Sequence, residues 1–252
     1  MEGMKRLLSF VRRGVDDYEM IKDGDKIAVG VSAGKDSLTL LCAMAELRRF
    51  YPKKFELVAI TIDMGFDGTD FTPIKELCRE LDVEYHIVPT QISKVIFDVR
   101  KEKNPCSLCA KMRRGALYNY AKEIGCTSVA LGHHFDDVVE TFMLNLFYEG
   151  RLGCFQPVTY LSNTDIYMIR PMIYMPEKDV RYFASKNELP VVKSPCPADG
   201  NTEREEMKQL LHKLERENKG LRYRIFGAIQ RSELDGFKIT GRMQGIKEYI
   251  ED

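Results

Sequence analysis

Residues 27–41, IAVGVSAGKDSLTLL, constrain this chain more than any other stretch. The first half is apolar and β-branched enough for a buried parallel strand. The second half carries apolar residues at helical spacing, Leu38, Leu41, Cys42 and Ala45, after a break at Ser32 to Lys35. The expected local structure is strand, tight loop, helix. Such a loop sets Ser32, Gly34, Lys35 and Ser37 where the first turn of a helix leaves backbone N–H groups unpaired, and a terminus of that kind attracts phosphate. The spacing is not that of G-x-x-x-x-G-K-S/T. Gly30 and Gly34 have one residue too few between them, and Asp36 stands where a magnesium-binding hydroxyl belongs. A carboxylate there repels a bare phosphate, so Asp36 works either with Mg²⁺ between the two or as a helix cap that points away.

The same alternation continues along the chain. Strands are expected at 56–63, 84–88, 127–131 and 166–170, separated by helices at 72–81, 91–103, from the cysteine pair at 106 to 125, and on to about 148. A helix is also expected at 1–20, another at 176–187, and highly charged helical sequence from about 202. Strands alternating with helices of this length imply right-handed crossovers, so the expected class is α/β, a parallel five-stranded sheet with helices on both faces. The division read from the sequence is an amino-terminal helix at 1–24, a catalytic domain at 25–200 and a small helical extension at 201–252.

Lys plus Arg and Asp plus Glu both number 38, so no global basic field advertises nucleic acid. Local clusters such as Lys111, Arg113 and Arg114 suffice for phosphate contacts, and solvated helix faces explain any one of them equally well. No apolar run reaches membrane-spanning length and no export signal is recognisable, which points to a cytoplasmic protein without a membrane partner. In that setting seven unevenly spaced cysteines argue against a disulfide framework. Cys106 and Cys109, at a helix start, can place both sulfurs on one centre. Redox dithiol, zinc and iron–sulfur readings all fit the spacing. Cys196, between two prolines, is a distant third candidate, and three thiolates leave a fourth coordination position open. Cys42, Cys78 and Cys126 read as small buried hydrophobes, and Cys154 as a loop thiol or spare ligand. The segment GHHFDDVVET, at the mouth of the fourth strand, gathers His133, Asp136, Asp137 and Glu140. This cluster suits magnesium near phosphates or proton handling better than helix capping alone. Asp63 ends the second strand, where ligands sit in open α/β sheets, and Arg170 closes the fifth with a cation suited to phosphate or to a neighbouring acid.

The loop resembles the PP-loop, S-G-G-x-D-S, of the ATP pyrophosphatase superfamily, with Ala33 in place of the first Gly. Three features together resemble the tRNA 2-thiocytidine synthetase family. They are CSLCAKMRRGALYNYAKEIGCTSVALGHHFDDVVETFMLNLFYEG, IRPMIYMPEKDV and a late lone cysteine. The resemblance implies ATP binding by Ser32, Ala33, Gly34, Lys35, Asp36, Ser37, Asp63, Gly132 and His133, and catalytic roles for Lys35, Asp36, Arg113, Asp136 and Asp137. It implies a 4Fe-4S cluster on Cys106, Cys109 and Cys196, Mg²⁺ as cofactor, and RNA contacts at Arg114 and Arg170. The implied reaction adenylates the C2 oxygen of an anticodon-loop cytidine of tRNA and replaces it with sulfur. The implied partners are tRNA and a sulfur donor such as a cysteine desulfurase, with a homodimer left open. Paired amino-terminal zinc-ribbon cysteines, a mark of the 2-thiouridine group, are missing, which favours the cytidine branch. The rival readings are another PP-loop ligase or thiouridine synthetase working through zinc or a persulfide, and a non-catalytic nucleotide or redox sensor.

Overall fold

The computed structural model describes residues 1–66, 68–100, 105–192, 196, 203–232, 234 and 236–239. Its centre is a sheet whose strands are β1 (Asp25–Gly30), β2 (Phe55–Asp63), β3 (Glu84–Pro89), β4 (Ser128–Ala130), β5 (Val158–Leu161) and β6 (Ile166–Ile169). The order across it is β3-β2-β1-β4-β6-β5, every pairing parallel except β5 with β6. The sheet is therefore six-stranded rather than five-stranded. The extra strand, β5, is an antiparallel edge formed by a half-exposed segment whose apolar residues do not alternate.

The helices are α1 (Met4–Asp17), α2 (Lys35–Phe50), α3 (Thr72–Glu80), α4 (Ile92–Lys94), α5 (Pro105–Glu123), α6 (Phe135–Tyr148), α7 (Glu177–Lys186), α8 (Glu203–Glu217) and α9 (Leu221–Arg231). The regular helix expected at 91–103 is instead one turn, α4, running into a π-helical turn at Val95–Val99, and residues 101–104 lie outside the described residues. None of the helices among the described residues is long and apolar enough to cross a membrane.

Period-two alternation splits the buried side chains of β1 between two cores. Ile27 and Val29 face a large cluster holding Leu7, Val11 and Val15 of α1, Leu38 and Leu41 of α2, Val180 and Phe183 of α7, Met207 and Leu211 of α8, and Phe226 and Ile229 of α9. Ala28 faces the other side, with Val58 and Ile60 of β2 and Leu117, Tyr118 and Ala121 of α5. Helices thus cover both faces, and α1, α8 and α9 share one core with the strands.

The topology decides where a site can form. From β1 the chain winds outward through β2 and β3, then returns to place β4 and β6 on the other flank, so the strand order reverses between β1 and β4. The carboxyl ends at such a reversal leave a crevice. Register brings the strand ends level: Gly30 lies opposite Ile60, Val29 opposite Ala130, and Ala130 opposite Ile169. The segments that follow them, 31–34, 131–134, 63–65 and 170, all open on one edge.

Candidate functional site

The loop after β1 is held by its own polar groups. Ser37 Oγ donates to the Gly34 carbonyl at 3.0 Å and accepts from Ser32 N–H at 3.1 Å and Ser32 Oγ at 3.2 Å. Ala33 sits in the left-handed region at φ 63°, a conformation a methyl group opposes. No side chain caps α2, so its first N–H groups face the crevice, as an anion site requires. Gly132, after β4, passes so close that a Cβ there would meet the Asp36 carbonyl group at 3.0 Å. The glycine lets the two loops touch. Lys35 Nζ lies 2.9 Å from Asp36 Oδ1 and 3.4 Å from Glu177 Oε1. Burial works against its charge, but the two carboxylates outweigh burial and hold its pKa above the usual value.

At the start of α6 the sequence-predicted acids have unequal tasks. Asp137 Oδ2 accepts from the His134 N–H at 2.9 Å and closes a capping box. Asp136 is buried; it accepts from the Glu177 N–H at 2.6 Å and pairs with Arg222 of α9. It therefore ties α6, α7 and α9 together. Asp36, at the start of α2, is more open than either of these acids, with 36% of its side chain exposed. Glu140 is buried, and burial together with the Asp137 charge pushes its pKa up to about 7, although Arg204 of α8 stands 3.6 Å away. Burial and the Arg170 charge push His133 down to about 4, so its ring is neutral at physiological pH. Arg170 Nε donates to His133 Nδ1 at 3.3 Å. Arg170 is itself 4% exposed, stacks 4.6 Å from the Phe155 ring and donates to the Gln156 carbonyl, so it orients His133 from within the fold. Arg114, by contrast, is exposed on α5.

Cys106 and Cys109 occupy the first turn of α5 at i, i+3, one face of the helix. Cys109 Sγ approaches Met64 Sδ, just past β2, at 3.9 Å. Burial raises its pKa, the Arg113 guanidinium opposes that, and the Cys196 and Cys106 sulfurs add to the rise. Cys109 is thus near enough to both Cys106 and Cys196 to feel their charge. Residues 193–195 and 197–200 lie outside the described residues, but Val192 donates its N–H to the Ala33 carbonyl at 3.1 Å, which anchors the chain leading to Cys196 on the loop after β1. Among the described residues no three His, Cys, Asp or Glu groups converge tightly enough for a single metal ion. A mononuclear tetrahedral site needs sulfurs roughly 4 Å apart, whereas a polynuclear cluster takes each thiolate on a different iron. One exposed and two half-exposed thiols, with Arg113 beside the middle one, Cys109, are a fitting donor set for the latter. Cys42 and Cys78, with thiols pushed up to about 12, and Cys126, up to about 11, are buried and inert. Cys154 is pushed to about 12 by burial, beside Arg170, and packs on the large core.

A cleft joins the two halves of the site: Ser32 and Ala33 line it from the loop, Asp63 and Met64 from the end of β2, Arg113 from α5, and Val192 from the segment before Cys196. Asp63 fixes this wall, accepting the Gly65 N–H on Oδ1 at 2.9 Å and the Thr90 N–H on its carbonyl at 2.9 Å.

Residues 5–215 match the PP-loop domain family. The tRNA-cytidine(32) 2-sulfurtransferase of Geobacter sulfurreducens is 41% identical over 228 residues, covering 89% of each chain. This chain belongs to that family. The 2-sulfurtransferase of Pseudomonas putida is 40% identical over 90% of this chain and 83% of its own. Among solved structures, the U34-tRNA thiolase NcsA from Methanococcus maripaludis, with its 4Fe-4S cluster, superposes with a TM-score of 0.74 at 29% identity. That match covers 91% of this chain and 78% of the thiolase.

Several residues that shape the site in this family member escaped the sequence reading. Glu177, opening α7, collects Lys35, Arg181 at 2.8 Å and Lys208 at 2.9 Å. Burial opposes its charge, but hydrogen bonds from Lys208 and Arg181 bring its pKa down to about 2. Arg204 and Lys208 stand four residues apart on α8, a cationic stripe hidden within a generally charged helix, and His212 continues the same spacing with its pKa held below the usual value by burial and the Arg222 charge.

Proposed function

We propose that this protein activates the C2 oxygen of a tRNA cytidine with ATP and that sulfur replaces the oxygen, giving 2-thiocytidine. The observation that carries the reading is one cleft bordered by two chemistries: Ser32 and Ala33 of the loop that leads into the uncapped helix start line it on one side, and Arg113 and Met64, both next to Cys109, line it on the other. Oxygen is a poor leaving group until it is esterified to AMP. The α2 N–H groups and Lys35 bind the departing pyrophosphate and offset the charge that builds as the bond to it breaks. Asp36, the open carboxylate at that helix start, would hold Mg²⁺, which supplies further neutralisation of phosphate charge. The end of β2, from Asp63 to Met64, walls the nucleoside side of the cleft.

Neutral His133, held by Arg170 through Nδ1, carries its proton on Nε2 and can donate a hydrogen bond there without adding charge. Arg113 places a fixed cation between the adenylated base and the sulfurs. Cys106, Cys109 and Cys196 would hold a 4Fe-4S cluster, whose open position supplies the sulfur carrier. Arg114, exposed on the same helix, contacts tRNA phosphate. The setting is the cytoplasm, and a cysteine desulfurase replenishes sulfur.

The test is anaerobic purification with iron and sulfide analysis of the protein and its Cys106→Ala and Cys196→Ala variants, beside mass spectrometry of tRNA nucleosides. Each substitution is expected to abolish iron loading and 2-thiocytidine while ATP binding persists. Full iron content in either variant, or 2-thiocytidine persisting in cells that lack the protein, refutes the reading.

A further inference from the structure

The Glu177 carboxylate is 9% exposed and meets cations from three places. Arg181 comes from the next turn of the same helix and is 56% exposed, a local i, i+4 pair. Lys208 and Lys35 are different, since they arrive from α8 and from the nucleotide loop. Both ammonium groups touch the same Oε1, at 2.9 and 3.4 Å, so their nitrogens stand no more than 6.3 Å apart. Beside the uncapped start of α2, two ammonium groups from different helices thus converge on one carboxylate oxygen. A diphosphate arriving there accepts a charge-assisted bond of about 2.8 Å from each of two ammonium groups at that separation.

We propose that Lys208 is a second phosphate-binding lysine, which grips the outer phosphate of ATP and the pyrophosphate product opposite Lys35. The inference rests on the nucleotide reading above, which supplies the polyphosphate, and adds that α8 is a working wall of the nucleotide site. Glu177 then has a defined task. With no ligand it keeps both lysines charged and pointed at one spot, and a phosphate oxygen arriving there takes over the contact. Arg204, one turn before Lys208, lies 3.6 Å from both Asp137 and Glu140 and seats the stripe in register. A lysine that served only to dock α8 on α7 would have no preference for ligands bearing a pyrophosphate group.

Calorimetric titration of the full chain separates these roles, with inorganic pyrophosphate and Mg²⁺ in one series and AMP in the other. Lys208→Gln is expected to raise the pyrophosphate Kd about tenfold or more, as loss of a charge-assisted bond does. AMP affinity should stay within about twofold, and Lys208→Arg within about threefold of the unaltered protein for both ligands. A pyrophosphate Kd within about twofold in Lys208→Gln overturns the proposal, and so does a parallel loss of AMP binding. The thiolation reading fails by another route: pyrophosphate binding that depends on Lys208, in a protein that forms no 2-thiocytidine, leaves this inference standing and removes that one.

Discussion

The pairing of Asp136 with Arg222 gives the sharpest test of how the site is built. The two side chains are 10% and 7% exposed; Arg222 Nη1 makes the pair, and among the described residues Arg222 Nη2 has no hydrogen-bond partner. Arg222→Met keeps most of the side-chain volume and deletes the charge, so it strands a buried carboxylate. Breaking a buried pair from one side costs about 3–5 kcal/mol. Here the Glu177 N–H, 2.6 Å from Asp136, still solvates the acid, which places the cost near about 3 kcal/mol at the lower end of that range. In a chain of this length about 1 kcal/mol shifts Tm by roughly 2–4 °C, so a fall of about 6–12 °C is expected. Thermal unfolding followed by circular dichroism at neutral pH measures it. Asp136→Asn keeps an acceptor for the Glu177 N–H, and the double variant completes a cycle in which the combined loss falls short of the sum of the single losses by at least about 1.5 kcal/mol. A single-variant cost under about 1 kcal/mol, or strict additivity, refutes the structural assignment and returns Asp136 to the role of a carboxylate available for metal binding or proton transfer.

Glu140 gives the pH test. Its folded pKa, about 7, lies above the ordinary carboxylate value, so its contribution to stability is full below about pH 4.5 and is lost as pH rises through 7. Glu140→Gln removes that slope and is expected to be more stable than the unaltered protein by up to about 3 kcal/mol at pH 8 and by less than about 1 kcal/mol at pH 5. Melting profiles that run parallel from pH 5 to 8 would contradict this. Ala33→Gly relieves a left-handed alanine, worth about 1–2 kcal/mol, but gives back about 0.4–1 kcal/mol in unfolded-state entropy and about 0.8 kcal/mol of buried methyl. The net Tm change should lie within about 4 °C, and a larger shift would mean the loop does not hold Ala33 at positive φ.

Local patterning made β1, the loop and α2 legible, because a buried parallel strand and a helix face both write a period into a dozen residues. It made the crevice legible too, since strands alternating with helices oblige the chain to reverse direction somewhere. β5 left no such mark. It is four residues at an edge, half-exposed, and it is a strand only because β6 lies beside it. The helix expected at 91–103 has the right apolar residues, but after the single turn of α4, where the Ser93 hydroxyl bonds the Gly65 carbonyl at 2.9 Å, the chain winds as a π-helical turn at Val95–Val99. At the site, residue type and spacing pointed to the segment from Gly132 to Asp137, which the fold sets at the mouth of β4, yet could not say that Asp136 would be engaged by Arg222, 86 residues away. Glu177, Lys208 and Arg222 are ordinary charged residues in ordinary helices, and only their distant partners give them meaning. The nearness of Cys196 to Cys109 was likewise carried by family likeness alone, because no local period relates a loop cysteine to a helix far upstream.

The bond from the Val192 N–H to the Ala33 carbonyl works as a tether. From that knot to Cys196 the chain has four residues, which even fully stretched reach only about 14 Å. Wherever the nucleotide loop goes, the third thiol must stay within that distance of it, so the one bond sets an outer limit on how far that sulfur can stray from the loop.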